Sequence, residues 1–272
     1  MPPEGPPVFG LTSLGEEIYL LRQKGSRDQV EMYDVISYRL LRCLTVPNSR
    51  GYSDMTSCKH FLSLYISDPN VESIHKLDLQ GNSTQWPVND RPTSLSVNAD
   101  HNLIVTCRRV RKIKEFSPRG DLLRDVTLPD DVISPWHAIQ LTDGQFIVCH
   151  GCYGDPIHCV CKVSEDGGHI INSHGRRSGS NIGQYDEPCH LAVDDNEFVL
   201  VADLGNRRVT LLSPTLDYKR YVVSGERFNW EPSRLCLDVQ RRRLYVADGR
   251  VLVFTVYCTH VIIPVVYNSI SR

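Results

Sequence analysis

The sequence predicts an all-β protein, a six-bladed β-propeller, and three observations support that prediction. First, segments 111–124 and 207–220 align without a gap at an offset of 96 residues. Second, related segments begin at six positions spaced 44, 40, 43, 53 and 44 residues apart, which is typical of four-stranded blades. Third, short β-branched runs end at turn residues, and no segment keeps a helical period of 3.6 residues.

One residue marks the beginning of the first strand in each predicted blade. In chain order these residues are Gly10, Asp54, Ser94, His137, His190 and Arg234. The two earliest copies match the others in strand spacing alone. A single copy cannot bury both faces of its sheet, whereas six copies stacked radially can, because each face then packs on a neighbour. The first strands then line a central channel, so we expect the six residues to meet at one rim of it.

The fourth interval is the longest and contains two extra loops, at 150–156 and 175–184. We predict an N-terminal lead at 1–9, the propeller at 10–256, and an atypical C-terminal strand or tail at 257–272. The chain is expected to be monomeric.

The C-terminal segment 251–271 contains no Lys, Arg, Asp or Glu and is long enough to span a bilayer. It is nevertheless rich in Val, Ile and Thr, which favour strands, and is interrupted by His260, Pro264 and Asn268. We therefore predict two strands and no membrane association. The expected turn and polar outer strand are missing from the pattern, so the last blade is predicted to be irregular.

The composition is that of a soluble globular protein, with 41% hydrophobic and 23% charged residues. The formal net charge of −2 gives no overall attraction to nucleic acid or anionic membranes. Ten cysteines lie mostly in apolar stretches, and the N-terminus has no secretory signal. We interpret the cysteines as buried apolar residues in a reducing, cytoplasmic compartment.

Three segments resemble NHL repeats, namely 91–118, 187–214 and 231–256. The second has a proline before its first strand, a strand that ends in Val-Ala-Asp, a Gly-Asn turn and a basic residue before the third strand. The resemblance to the NHL domains of tripartite-motif proteins, and to TolB-like propellers, implies six blades. In animal relatives this propeller often ends a ubiquitin-ligase chain, which implies substrate recognition in that context.

The predicted rim is the first candidate site. It comprises Asp54, Ser94, Trp136, His137, His190 and Arg234. Two histidines and a carboxylate are plausible zinc ligands. NHL-like peptidyl-hydroxyglycine amidating lyases use such histidines, but Trp136 and Cys189 stand next to the prolines here, and no third channel histidine is present. We therefore transfer none of their catalytic residues, and a wet rim that tolerates polar residues stays the simpler interpretation.

The segment 149–161 is a second, weak candidate for a metal, through Cys149 and Cys152. A Cys-x-x-Cys pair facing another cysteine-containing strand can hold zinc. However, Cys159 and Cys161 are two residues apart on a predicted strand and point to one face. Ordinary burial in a hairpin explains these cysteines without a metal.

A basic run at 107–116 is the third candidate, because some tripartite-motif NHL proteins bind RNA loops through a basic propeller face. The residues are Arg108, Arg109, Arg111, Lys112 and Lys114, with Arg207 and Arg208 at related positions in a later blade. They alternate between the two sides of a strand, which favours a solvated face with local ion pairs.

We predict a non-catalytic platform that binds a protein or peptide through the rim and the long loops of blade four, with no cofactor and no enzymatic role. Two alternatives stay open. The first is RNA binding through the basic residues, and the second is a zinc-dependent lyase related to the amidating lyases. No nucleophile motif or phosphate-binding glycine loop is present in the sequence.

Overall fold

The computed structural model describes residues 7–24, 27–46, 51, 53–258 and 261–267. These residues form six four-stranded sheets, each made of four strands consecutive in the chain. Every strand pairs antiparallel with the next, so each sheet is a simple meander.

The first three blades have the following strands. Blade one contains β1 (Val8–Leu14), β2 (Glu17–Lys24), β3 (Arg27–Asp34) and β4 (Leu40–Thr45). Blade two contains β5 (Asp54–Cys58), β6 (Ser63–Asp68), β7 (Ser73–Asp78) and β8 (Ser83–Pro87). Blade three contains β9 (Ser94–Val97), β10 (Leu103–Cys107), β11 (Lys112–Phe116) and β12 (Leu122–Thr127), with a 3-10 turn at Arg108–Val110.

The last three blades repeat the arrangement. Blade four contains β13 (Pro135–Gln140), β14 (Phe146–His150), β15 (Cys159–Val163) and β16 (Ile170–His174). Blade five contains β17 (Pro188–Val193), β18 (Val199–Asp203), β19 (Arg208–Leu212) and β20 (Tyr218–Ser224), followed by a 3-10 turn at Gly225–Arg227. Blade six contains β21 (Arg234–Asp238), β22 (Arg243–Ala247), β23 (Val251–Cys258) and β24 (Val261–Tyr267).

The six sheets form a ring. The first strand of each blade contacts the first strands of both neighbouring blades, and β21 of blade six contacts β1 of blade one. Six apolar clusters of the described residues fill the six spaces between adjacent blades. The predicted six-bladed propeller is therefore confirmed, and each of the six marker residues lies in the innermost strand of its blade.

The sequence of the inner strands explains why they are buried. In β10 and β18 every residue is buried, because alternate side chains enter the clusters on the two sides of the blade. The outer strands β4 and β12 are mostly exposed and contain arginines. Burying one large apolar side chain contributes roughly 1.5–3 kcal/mol, so the inter-blade clusters supply most of the stabilisation.

The joint between blades one and six consists of side-chain contacts. Leu11 of blade one packs in one cluster with Tyr245 and Val253 of blade six. At the end of the channel where the first strands finish, Arg241 Nη2 lies 2.6 Å from Glu16 Oε1. Both blades are complete four-stranded meanders, so neither borrows a strand from the other, and side-chain packing closes the ring here.

The C-terminal segment forms two strands, as predicted, and β24 completes a fourth strand of blade six. The pairing of β23 with β24 has two register shifts. No helix among the described residues has the length and apolar character needed to cross a membrane.

Gly10 is the one marker residue without a side chain, and packing explains why. A Cβ atom built there would lie 2.4 Å from Met55 Cβ and 2.8 Å from Met55 N in blade two. Blades one and two therefore approach closely at this level, and the marker residues that carry side chains come from blades two to six.

Candidate functional site

The first strands bring an acidic residue and two histidines together at the end of the channel where those strands begin. Asp54 of blade two, His137 of blade four and His190 of blade five each offer one ligand atom, and these atoms lie within 4.8 Å of one another. All three side chains are buried. We call this group the channel triad.

The Asp54 carboxylate is ionised and has partners from three blades. Its Oδ2 accepts a hydrogen bond from the Leu95 amide at 2.9 Å, and its Oδ1 lies 3.2 Å from Arg234 Nε. His190 Nε2 lies 3.8 Å from the same Oδ1. Burial alone would raise the pKa of Asp54, but Arg234 and His190 outweigh it and lower the pKa to about 2.

His137 is held in one tautomer. Its Nε2 lies 3.2 Å from the Leu95 carbonyl oxygen, which can only accept, so Nε2 holds the proton and Nδ1 keeps a lone pair. That Nδ1 is buried and has no hydrogen-bond partner in the described chain. Burial and the neighbouring His190 lower the pKa of His137 to about 3, so the ring is neutral at physiological pH.

His190 stacks on His137, with ring centroids 4.0 Å apart and planes inclined by 25°. Its Nδ1 accepts a long hydrogen bond from the Leu235 amide at 3.4 Å. Burial lowers the pKa of His190, although Asp54 opposes that shift. The site therefore combines two neutral imidazoles with one carboxylate.

Arg234 fastens the channel triad to three blades. Its Nε donates to the Phe9 carbonyl at 2.7 Å, Nη1 donates to the Ser233 carbonyl at 2.6 Å, and Nη2 donates to the Ser53 carbonyl. These bonds leave the guanidinium beside Asp54 as a fixed positive charge. Asp54 Oδ1 still lacks a hydrogen-bond donor among the described residues.

The histidines lie at the inner end of a cavity of about 260 Å³ inside the channel. Small side chains from the first strands line it, among them Thr12, Thr56 and Ser96. Cys236 of blade six also borders it. This cavity has the size of a small organic substrate group and offers both hydroxyl and apolar surface.

Ser94 and Trp136, the other predicted rim residues, flank the triad. Ser94 is buried and its Oγ has no hydrogen-bond partner in the described chain. The Trp136 indole packs against the apolar clusters on both sides of blade five, so it crosses the start of the strand that contains His190. The Arg108 guanidinium covers that indole at 4.1 Å from the ring centroid.

The donor set suits a divalent cation. Two imidazole nitrogens and a carboxylate oxygen are the ligands that zinc and similar first-row ions prefer. The Leu95 carbonyl orients His137 in the way that partners behind metal-ligating histidines do. Buried polar atoms normally have partners, and two here, Asp54 Oδ1 and His137 Nδ1, have no hydrogen bond in the described chain. The residues therefore fit a metal, with the nearby Arg234 charge as the opposing feature.

The second metal candidate does not assemble. Cys149 faces the cluster between blades four and five, whereas Cys159 and Cys161 face the cluster between blades three and four. Cys152 donates to the Tyr153 carbonyl at 3.7 Å. Alternation along the strands separates these thiols. Within the described ranges, the channel triad alone groups three potential ligands.

The basic residues are spread over two blades and most have partners. The ion pairs are Arg111 with Asp130 (2.9 Å), Lys112 with Asp125 (3.0 Å), Lys114 with Asp90 (2.7 Å) and Arg208 with Asp203 (2.6 Å). Arg108 lies on Trp136, while Arg109 and Arg207 are exposed. In the folded chain, most of these basic side chains therefore pair with acidic or aromatic groups of the same protein.

Arg208 has a role that the sequence did not reveal. It donates to the carbonyls of Ser180 and Gln184 at 2.7 and 2.6 Å, and Asp203 accepts from the Asp186 amide at 2.8 Å. This clamp holds the long loop 175–187 against blade five. A basic residue after a Gly-Asn turn was visible in the sequence, but its loop partners, Ser180 and Gln184, lie more than twenty residues away.

Comparison with known proteins identifies enzymes of this fold. No protein-family model matches the chain. A gluconolactonase from Zymomonas mobilis is 30% identical over 131 residues, covering 44% of this chain and 36% of that protein. The chain thus spans about a third of the length of this curated relative.

Solved structures with the same fold cover nearly the whole chain. Virginiamycin B lyase from Staphylococcus aureus has a TM-score of 0.64 at 10% identity, covering 96% of this chain and 83% of that one. Its catalytically inactive histidine-to-alanine variant with quinupristin has a TM-score of 0.67 at 9% identity, covering 97% and 85%. Hydrazine synthase from Kuenenia stuttgartiensis has a TM-score of 0.67 at 14% identity, covering 93% and 96%. At these identities the likeness establishes a shared propeller fold.

These comparisons correct one prediction. The sequence led us to expect a chain with no enzymatic role, and that expectation is wrong: the relative that shares sequence with the chain is named as a lactonase, and virginiamycin B lyase is among the proteins with the same fold. The prediction set the rim residues aside as a wet surface that tolerates polar groups. The structure instead brings Asp54, His137 and His190, from three separate blades, into one buried group.

Proposed function

We propose that the chain is a propeller enzyme that cleaves an ester bond in a cyclic, lactone-type substrate at the channel triad. The observation that carries the proposal is that His137 and His190, which line a cavity, converge with the ionised and fully buried Asp54. The named activity of the gluconolactonase relative supports the choice of an ester.

His137 suits the role of the base. Its Nδ1 lone pair is free of any partner in the described chain, and its low pKa leaves the ring neutral but weakly basic, so it relies on the nearby Asp54 charge to hold a proton. Such a nitrogen accepts a proton from a water molecule as the water attacks the ester carbonyl. The proton then passes to the leaving alkoxide, which gives an acid and an alcohol.

Asp54 and Arg234 act on the histidines rather than on the ester. Arg234 keeps Asp54 ionised, and the Asp54 charge stabilises a neighbouring imidazole when it becomes protonated. Binding of a divalent cation by Asp54, His137 and His190 would be an alternative to this role, because the same Nδ1 lone pair of His137 would then be a metal ligand and not the base. The cation would polarise the ester carbonyl and acidify the attacking water.

The decisive experiment is hydrolysis of glucono-δ-lactone by the purified protein, followed as acid release in a pH-stat. His137→Ala should lower kcat/KM at least about a hundredfold, the lower range for loss of a general base. His60→Ala is the matched control, since His60 is an exposed histidine of a blade-two turn. Equal rates in wild type and His137→Ala would refute the proposed site.

Product mass separates two kinds of ester cleavage. Hydrolysis adds the mass of one water, whereas elimination, the lyase reaction, does not. The virginiamycin B lyases among the fold neighbours, one of them with quinupristin, make this second reaction worth testing on quinupristin. Dialysis against a chelator, followed by zinc or manganese addition, tests the cation: Asp54→Asn should lose bound metal, and an unchanged metal content would refute cation binding at the triad.

A further inference from the structure

A second site lies on the outside of blade four, away from the channel. An open cleft of about 540 Å³ forms where the outer strand β16 leads into the loop 175–187. Its lining residues are Ser173, His174, Gly175, Arg176, Arg177, Gly183 and Gln184. We call it the blade-four cleft.

The charged side chains that line the cleft are all positive. Arg176 and Arg177 contribute two positive charges, and Ser173 and Gln184 contribute neutral hydrogen-bond donors. No Asp or Glu lines the cleft. Neither guanidinium has an ion pair or hydrogen bond with the part of the chain that the structure describes, in contrast to Arg208 nearby.

The cleft is built on fixed backbone. Gly175 has φ +91°, and a Cβ there would lie 2.7 Å from the His158 carbonyl oxygen and from the Tyr185 ring. The chain can make this turn only with glycine at that position. The Arg208 clamp then holds Ser180 and Gln184 from the other side, so the two arginines project from an anchored loop.

We propose that the blade-four cleft binds the terminal phosphate group of a phosphate monoester. Guanidinium groups pair with phosphate oxygens through two parallel hydrogen bonds each, which a point charge such as an ammonium cannot do. Two of them match the two charges of a monoester above its second pKa. A phosphodiester has one charge per phosphate and leaves one arginine without a counterion.

Calorimetric titration of inorganic phosphate at pH 8 and constant ionic strength tests this site in the intact protein. The double variant R176A/R177A should weaken phosphate binding at least about tenfold, since bonds to charged groups are the strong ones. R176K/R177K keeps the charge but not the forked geometry and should fall between the two. The control R109A/R119A removes two exposed arginines of blade three and should bind like wild type.

Glucose 6-phosphate and a phosphoserine peptide, titrated in parallel, show which kind of monoester the cleft prefers. No heat from phosphate in the wild type, or an unchanged dissociation constant in R176A/R177A, overturns the proposal. An equal loss of phosphate affinity in R109A/R119A would attribute the binding to the general surface charge and not to the cleft. Tighter binding of a short single-stranded DNA, lost in R176A/R177A, would assign the cleft to phosphodiesters. None of these outcomes depends on the channel triad.

Discussion

Replacing Arg234 with methionine should destabilise the protein mainly through Asp54. The substitution retains an unbranched apolar stem but removes the cation 3.2 Å from a fully buried carboxylate. At that distance the attraction is about 5 kcal/mol for an effective dielectric constant near 20. Breaking a buried ion pair from one side costs about 3–5 kcal/mol, which agrees with that figure.

The loss should depend on pH in a defined direction. Without Arg234, burial dominates and the pKa of Asp54 rises above its ordinary 3.8. A group whose pKa is raised in the folded state stabilises that state once it is protonated. The loss of unfolding free energy in Arg234→Met, relative to the wild type, should therefore shrink as the pH falls from 8 to 5. In the wild type, the low pKa of Asp54 keeps the carboxylate ionised throughout that interval, so Asp54 contributes no change in stability there.

Urea unfolding monitored by tryptophan fluorescence at both pH values measures the effect, and thermal unfolding at pH 8 should be roughly 6–20 °C lower. The double variant Asp54→Asn/Arg234→Met should recover part of the loss because no buried charge is left unpaired. Arg109→Met controls for surface arginines. A loss under about 1 kcal/mol, or one that is equal at pH 5 and 8, refutes the ion-pair reasoning.

Three further outcomes follow from the packing and charges. Gly10→Ala should cost about 1–3 kcal/mol in urea unfolding, because its methyl group would overlap Met55, and a neutral result would show that blade two can shift. Arg208→Met should free the loop 175–187 and speed its cleavage in limited proteolysis, whereas an unchanged cleavage pattern would show that other contacts hold it. Asp54 stabilises the wild type fully above pH 3.8 and loses that contribution down to about pH 2, so acid unfolding of Asp54→Asn should lack this step.

The hydrolysis proposed for the triad has a pH signature of its own. Because the pKa of His137 lies near 3, the base stays unprotonated at pH 5, where an ordinary histidine with a pKa of 6.5 is mostly protonated. The rate constant kcat/KM should therefore not fall between pH 8 and 5. A drop centred near pH 6.5 would assign the base to a different, exposed histidine.

The fold was predictable because a propeller repeats its local pattern. The offset of 96 residues between Ser94 and His190 revealed the repeat, and the six aligned positions predicted the blade count. The structure places Ser94 and His190 near the start of an innermost strand. Short strands and glycine turns are local properties, which a sequence expresses directly.

The chemistry of the candidate site was harder to predict from the sequence. The sequence placed Asp54 and His137 at one rim, but the free Nδ1 of His137 depends on the carbonyl of Leu95, a backbone atom that no residue type encodes. Likewise, Cys149 and Cys161 are close in sequence yet face opposite sides of one sheet. The tautomer of a histidine, an unpaired nitrogen and an ion pair between blades all depend on how the blades pack. The sequence alone does not show that packing.

Five of the six joints in the ring are crossed by the polypeptide, which leaves an outer strand of one blade and enters the inner strand of the next. Among the described residues, the remaining joint, between blades one and six, is held by side chains such as Leu11 and Tyr245 and by the hydrogen bond from Arg234 to the Phe9 carbonyl. Loosening of this joint would break such side-chain contacts, among them the hydrogen bond from Arg234 to the Phe9 carbonyl, but no sheet ladder. The cohesion of the ring at this point therefore depends on side-chain packing and not on the backbone.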